Sequence, residues 1–129
     1  YDQAADWAAR IGLSDMLERS AKFLSGGEQQ KLALARAMIT NPKVLFLDEP
    51  SASLDGRAMR EIEDILLSAK KSGMRLILST HDIGQARRLA DEVIFLLHGC
   101  VHEQGPASVF FDTPETPQAR AFLRGDIVE

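Results

Sequence analysis

Several absences narrow what this chain can be. It holds a single cysteine, Cys100, so no disulfide can form within it, and this fits a reducing compartment. No apolar stretch approaches the ~20 residues that a membrane-spanning helix needs. The first residues show no basic segment followed by an apolar one, so no secretory signal is expected. Lys and Arg are not in surplus: the net charge is −4, which argues against a nucleic-acid or anionic-membrane surface, since both call for clustered positive charge. Internal repeats and low-complexity tracts are absent. No glycine is followed by lysine, so the phosphate-cradling loop G-x-x-x-x-G-K-[ST] does not occur. The chain opens on Tyr1 rather than Met, as a fragment would.

What is present is an ordinary globular composition. The 129 residues are 45% apolar and 26% charged, enough for one modest core. Residues 3–24 form one or two short helices, with a stripe of Ala5, Ala8, Ala9, Leu13, Met16 and Leu17 anchored by Trp7. Ser25 opens a helix in which Leu32, Leu34, Ala35, Met38 and Ile39 should be buried, and Asn41-Pro42 stops it. The runs Lys43–Leu47 and Arg75–Ser79 are short and apolar, the mark of strands buried on both faces. Between them, Gly56–Lys71 is a helix with Met59, Ile62, Leu66 and Ala69 inward, ended by Ser72-Gly73. Asp82–Ala90 is a helix and Val93–Leu97 a third strand. His98-Gly99 turns into a fourth, Val101–Gln104. This alternation is the grammar of an α/β fold with a mostly parallel sheet and flanking helices. After Pro106, two short helices split near Thr113-Pro114 should pack Val109, Phe110, Phe111, Phe122 and Leu123 back on the sheet.

Ser25-Gly26-Gly27-Glu28 has two readings. As structure it is a capping box, in which Ser25 caps the helix and Glu28 reaches back. A capping box does not call for two glycines, which cost helix stability. As function, the glycines let another backbone approach, the free N–H groups point outward, and the helix dipole favours an anion.

The strand ending in Asp48-Glu49 is an odd structural choice unless the carboxylates work. The bland reading is a surface turn, Asp-Glu-Pro. Neighbours on a strand point to opposite faces, so the two carboxylates would hold separate tasks. Asp48 suits Mg2+, which takes few carboxylates and keeps its waters. Glu49 suits a general base that polarises an attacking water. His81 follows the Leu76–Ser79 strand. It could simply cap the next helix, but ligands in open parallel sheets bind at the C-terminal ends of strands, where Asp48 and Glu49 also sit. A neutral imidazole there can donate to a phosphate oxygen. His98, Cys100 and His102 alternate, but the turn at Gly99 breaks the alternation and speaks against a metal site. Arg87-Arg88 and Lys70-Lys71 are solvated faces.

Leu24-Ser25-Gly26-Gly27-Glu28, Phe46-Leu47-Asp48-Glu49-Pro50, Ser53-Leu54-Asp55 and Thr80-His81-Asp82 occur in this order over nearly the whole chain. They resemble the signature motif, Walker B strand, D-loop and switch histidine of ABC transporter ATPases. The resemblance implies the C-terminal portion of a P-loop NTPase domain. Residues 1–41 would be the end of the helical subdomain and the signature helix, 42–105 the core sheet, and 106–129 the C-terminal helices. It implies ATP and Mg2+ as cofactors. Ser25, Gly26, Gly27 and Glu28 would meet the γ-phosphate of ATP held by a second ATPase domain, and Asp55 would cross that head-to-tail dimer interface. Asp48 would order Mg2+, Glu49 would be the base, and His81 the switch. The partners implied are that second domain, transmembrane permease subunits and, indirectly, a solute-binding protein. The place implied is the cytoplasmic face of the cell membrane, with no nucleic acid expected.

Lys31 stands where Arg is commoner in the family. The family's P-loop, adenine-stacking aromatic and glutamine loop would precede Leu24 and are not found, so the chain alone should bind and hydrolyse ATP poorly. The lack of a regulatory domain resembles bacterial importers, and Asp82–Asp91 is similar to tungstate, molybdate and related oxyanion systems. Two alternatives remain: an ATPase of the chromosome-maintenance or DNA-repair type, and a non-catalytic fragment that presents Ser25-Gly26-Gly27 in trans.

Overall fold

The computed structural model describes residues 2–11 and 25–129. The expectations for Leu13, Met16, Leu17 and Leu24 lie outside these residues. In chain order the described elements are α1 (Asp2–Arg10), α2 (Gly26–Met38), β1 (Val44–Asp48), α3 (Gly56–Lys71), β2 (Arg75–Ser79), α4 (Ile83–Leu89), β3 (Glu92–Leu97), β4 (Cys100–Pro106), α5 (Ala107–Asp112) and α6 (Pro117–Leu123). They fall into two compact units, Tyr1–His81 and Asp82–Glu129.

In the first unit, β1 and β2 pair in parallel, from Val44 opposite Arg75 to Asp48 opposite Ser79. The crossover is α3, which starts where Asp55 caps it and ends at Ser72, with Gly73 taking the left-handed φ of 97° that stops the helix. Ile62 and Leu66 of α3 are wholly buried, and Met38 of α2 nearly so. Burial of each such side chain stabilises by about 1.5–3 kcal/mol. Ala8 and Ile11 meet Ala35 in a smaller cluster with Trp7, Leu32 and Ile65. Lys31 of α2 pairs with Glu61 of α3, and Arg57 reaches the same carboxylate. The hydrogen bond from Lys31 holds the Glu61 carboxyl below its ordinary range.

The strands differ from expectation in one respect. Burial alternates instead of covering both faces. Leu45 is buried, whereas Val44, Phe46 and Ile77 are exposed, Phe46 at 74%. A continuous apolar run carries side chains for two covering layers. The pair is only two strands wide among the described residues, and one face stays open.

In the second unit, β3 does not extend the parallel pair. It pairs antiparallel with β4, with an irregularity between Phe95 and Leu96. The cause is local. His98 and Gly99 both take positive φ, 52° and 74°, which is the two-residue turn that folds a strand back on its neighbour. Phe95, Phe110 and Ala119 form the core of this unit, with Val93, Phe111, Phe122 and Leu123 around them. Phe95 lies 5.9 Å from Phe110 and 5.3 Å from Phe122, ring to ring. Val109 is not part of it and is exposed. Ala107 and Phe110, three apart, take the inward face of the short α5 and leave Val109 outside.

One buried carboxylate fastens the end of this unit. Glu103 of β4 accepts from the Glu115 N–H at 3.1 Å, the Thr116 N–H at 2.9 Å and the Thr116 hydroxyl at 2.7 Å. Thr116 in turn caps α6 by accepting from the Ala119 N–H. Burial pushes the Glu103 carboxyl up, but these hydrogen bonds and nearby His102 bring it below its ordinary range.

Candidate active site

The start of α2 is the capping box that the sequence spells out. The Ser25 hydroxyl accepts from the Glu28 N–H at 3.1 Å, and the Ser25 N–H donates to Glu28 Oε1 at 2.9 Å. Ser25 and Gly26 are exposed. The two glycines are not equivalent. A Cβ on Gly27 would stand 3.0 Å from the Cβ of Ala58, so Gly27 lets α2 approach the first turn of α3. A Cβ on Gly26 would meet nothing within 4 Å. Packing within the chain explains Gly27 and leaves Gly26 unexplained.

The ends of β1 and β2 gather the other candidates. Asp48 ends β1, and its Oδ1 accepts from the Ser79 hydroxyl at 2.5 Å. The Glu49 N–H donates to the Ser79 carbonyl at 2.9 Å, continuing the parallel ladder by one residue. There the backbone leaves the strand, because Glu49 has φ 43°, an uncommon value for a residue with a side chain. Its carboxylate comes 3.9 Å from His81 Nε2, with both side chains open to solvent. The two adjacent carboxylates therefore face different partners. His81 does not cap α4, because Asp82 takes that position and accepts from the Gln85 N–H.

The loop after Glu49 is tightly turned. The Ala52 N–H donates to the Glu49 carbonyl, the Leu54 N–H to the Ser51 carbonyl, and Ser53 takes φ 63°. Asp55 then caps α3 through a 2.8 Å bond from the Ala58 N–H. Its carboxylate has a local job before any partner arrives.

Two contributors were not foreseen. Gln30 of α2 donates from its side-chain amide to the Pro50 carbonyl at 2.6 Å, which ties the helix start to the turn after Glu49. Ser79 touches Asp48 through its hydroxyl and Glu49 through its carbonyl. A signal for Ser79 did exist. The two strands have equal lengths, and pairing them end to end sets the one polar residue of Leu76–Ser79 beside Asp48. Gln30 carries no local signal.

The strand ends combine an exposed carboxylate with one oxygen engaged and a second carboxylate beside an imidazole. No group of three or more His, Cys, Asp or Glu gathers as a metal site among the described residues. A cation at Asp48 would take its other ligands from water and from a phosphate ligand, which is the habit of Mg2+. No helix among the described residues is long and apolar enough to cross a membrane.

The chain resembles known proteins in sequence and in fold. Residues 1–52 match the model of a family described as ABC transporter. The chain is 40% identical over 114 residues to the glutamate transport ATP-binding protein GluA of Corynebacterium efficiens, covering 88% of this chain and 47% of that protein. It is 43% identical over 118 residues to the phosphate import ATP-binding protein PstB 2 of Natronomonas pharaonis, covering 92% and 42%. It is 36% identical over 122 residues to the glutamate/aspartate import ATP-binding protein GltL of Escherichia coli K12, covering 95% and 51%. The chain thus spans about half the length of the curated relatives it matches. Among solved structures, the ADP conformation of MJ1267, an ATP-binding cassette of an ABC transporter, superposes with TM-score 0.82 at 22% identity, over 97% of this chain and 50% of that one. A nucleotide-free ATP-binding cassette from an ABC transporter gives TM-score 0.77 at 25% identity, over 81% and 42%.

The described elements share the fold of ATP-binding cassettes. The chain is similar, over about half of their length, to ATP-binding proteins of ABC transporters, among them ones named for import.

Proposed function

We propose that this chain supplies the signature helix, the Walker B carboxylates and the switch histidine of a subunit that hydrolyses ATP to drive import across a membrane. The observation that carries the reading is the approach of Glu49 to His81 at 3.9 Å, beside the strand end where Asp48 stands. Glu49 takes the proton of an attacking water, and His81 donates to the γ-phosphate oxygen and keeps that water in line. Asp48 would hold Mg2+ through water, and the ion would supply positive charge to the phosphates. Ser25 and Gly26, with Gly27 and Glu28 behind them, offer the N-terminus of α2 to the γ-phosphate of ATP bound by a second ATPase domain. Asp55 faces that domain. ATP thereby joins two domains head to tail, and hydrolysis releases them.

Permease subunits, with a solute-binding protein outside, place such a subunit peripherally at the cytoplasmic face of the membrane. For the cargo, the wording of Asp82–Asp91 favours an oxyanion such as tungstate or molybdate. The relative named for phosphate import, at 43% identity, supports an oxyanion, while those named for glutamate support an amino acid.

The test is Glu49→Gln in the full-length protein that contains this chain. Hydrolysis should fall by at least about a hundredfold, and an ATP-bound dimer should accumulate in size-exclusion chromatography. Turnover at the unaltered rate removes Glu49 as the base.

A further inference from the structure

The ends of β1 and β2 hold one polar side chain that the proposed reaction does not use. Ser79 is the last residue of β2 and lies in register with Asp48, the last of β1. Its hydroxyl donates to Asp48 Oδ1 at 2.5 Å. Its carbonyl accepts the Glu49 N–H at 2.9 Å. Asp48 Oδ2 takes no other hydrogen bond or ion pair among the described residues. A carboxylate on an exposed strand end rotates freely about its last bond unless something holds it. With Oδ1 held, the plane of the carboxylate is set, and Oδ2 is left to face a cation or its water.

We propose that Ser79 is a positioning residue for the divalent cation of the ATP site: it orients the Asp48 carboxylate through its hydroxyl while its backbone fixes the start of the Glu49 turn. The inference rests on the reading of Asp48 as the carboxylate that orders Mg2+. The physical basis is general. Carboxylates at metal sites are themselves hydrogen-bonded, and removal of that outer partner weakens the metal about 10–100-fold. The backbone contact to Glu49 survives any substitution at position 79 other than proline, so side-chain variants separate the two roles of the residue.

The experiment compares Ser79→Thr with Ser79→Val in the full-length protein. Both are β-branched, fit a strand and have nearly the same shape, so they differ in the hydroxyl alone. Mn2+ serves as the probe, with its affinity for the ATP-loaded protein read by electron paramagnetic resonance. Ser79→Val should weaken Mn2+ about tenfold, and Ser79→Thr should keep it within about twofold of the unaltered protein. Thermal unfolding of the two should match, which removes a folding artefact. Equal Mn2+ affinity in the Thr and Val variants would overturn the role of Ser79. Asp48→Asn, measured in parallel, separates the two levels of the argument. If it weakens Mn2+ while Ser79→Val does not, the Ser79 inference alone falls. If Asp48→Asn leaves Mn2+ affinity unchanged, the underlying assignment of Asp48 falls with it.

Discussion

The side-chain amide of Gln30 donates to the carbonyl of Pro50 at 2.6 Å, across 20 residues of sequence. One end of this link is on the helix that begins at Ser25, and the other is the residue after Glu49. Under the proposed head-to-tail arrangement these two places would serve different nucleotides, and Gln30 would link them.

Gln30→Ala leaves the Pro50 carbonyl, in a buried residue, without its amide donor. The expected cost is about 1–2 kcal/mol in chemical denaturation of the full-length protein. ATP hydrolysis should fall more than ATP binding does, because the Glu49 turn loses a support. A variant that hydrolyses ATP at the unaltered rate would show that the link is structural only.

The paired glycines make opposite predictions. Gly27→Ala forces α2 from α3 at Ala58, and the strain should cost about 1–2 kcal/mol. Gly26→Ala meets nothing and should leave stability unchanged or slightly raised. If Gly26 is there for a nucleotide in trans, its alanine variant will be stable and yet slow in hydrolysis. Thermal unfolding and ATPase rate, measured on both variants, distinguish a packing glycine from a functional one.

Much of this was legible from sequence. Gly56–Lys71 and Arg75–Ser79 fall where expected, since Asp55 supplies a cap, Ser72-Gly73 a stop, and the strand an uninterrupted apolar run. The capping box at Ser25 is local chemistry and forms as written. What escaped is what lies between elements. Phe46 and Ile77 look buried in sequence because an apolar run records the need for two covering layers, not whether both are at hand. The turn at His98-Gly99 was legible, but not that β3, among the described residues, would pair only antiparallel with β4. Glu103 sits between His102 and Gln104 and looks solvated, yet Thr116, 13 residues on, draws it inside. Gln30 and Ala58 owe their contacts to helix approach, which no local pattern encodes, and Ser79 follows only once the two strands are paired end to end.

Glu103 gives a pH prediction. Its carboxyl lies below the ordinary value of 4.5 in the folded chain, with Thr116 and Glu115 as donors. The ionised form is therefore the one that folding favours. Its stabilising share is fully present above the unfolded value and is lost as pH falls through the lower folded one. Glu61, held down by Lys31, acts in the same direction. Stability should decline below about pH 4.5. Glu103→Gln should lower stability at neutral pH, because its NH2 group meets the N–H donors of Glu115 and Thr116, and should flatten the acid limb. Urea midpoints at several pH values between neutral and acid check this. An acid limb unchanged in the variant would assign the decline to other carboxylates.

Asp55 holds the last test, because it has two possible employers. Its carboxylate caps α3 at the Ala58 N–H, and a cap of this kind contributes about 0.5–2 kcal/mol. The same carboxylate stands at the end of the turned loop, where the head-to-tail reading needs it to meet a second domain. Asp55→Asn keeps the capping acceptor and loses the charge, whereas Asp55→Ala loses both. Stability should therefore rank Asp and Asn together, with Ala lower by about 1 kcal/mol. Hydrolysis decides the rest when measured as a function of ATP concentration in the full-length protein. If the Asn variant is cooperative and as fast as the unaltered protein, Asp55 is a helix cap and nothing more. If it is as impaired as the Ala variant while remaining as stable as the unaltered protein, the charge works across the interface. The expected result is the second, because the Ser53 φ of 63° and the tight turn before it place the loop as a fixed, exposed edge. A solvated cap does not need such an edge.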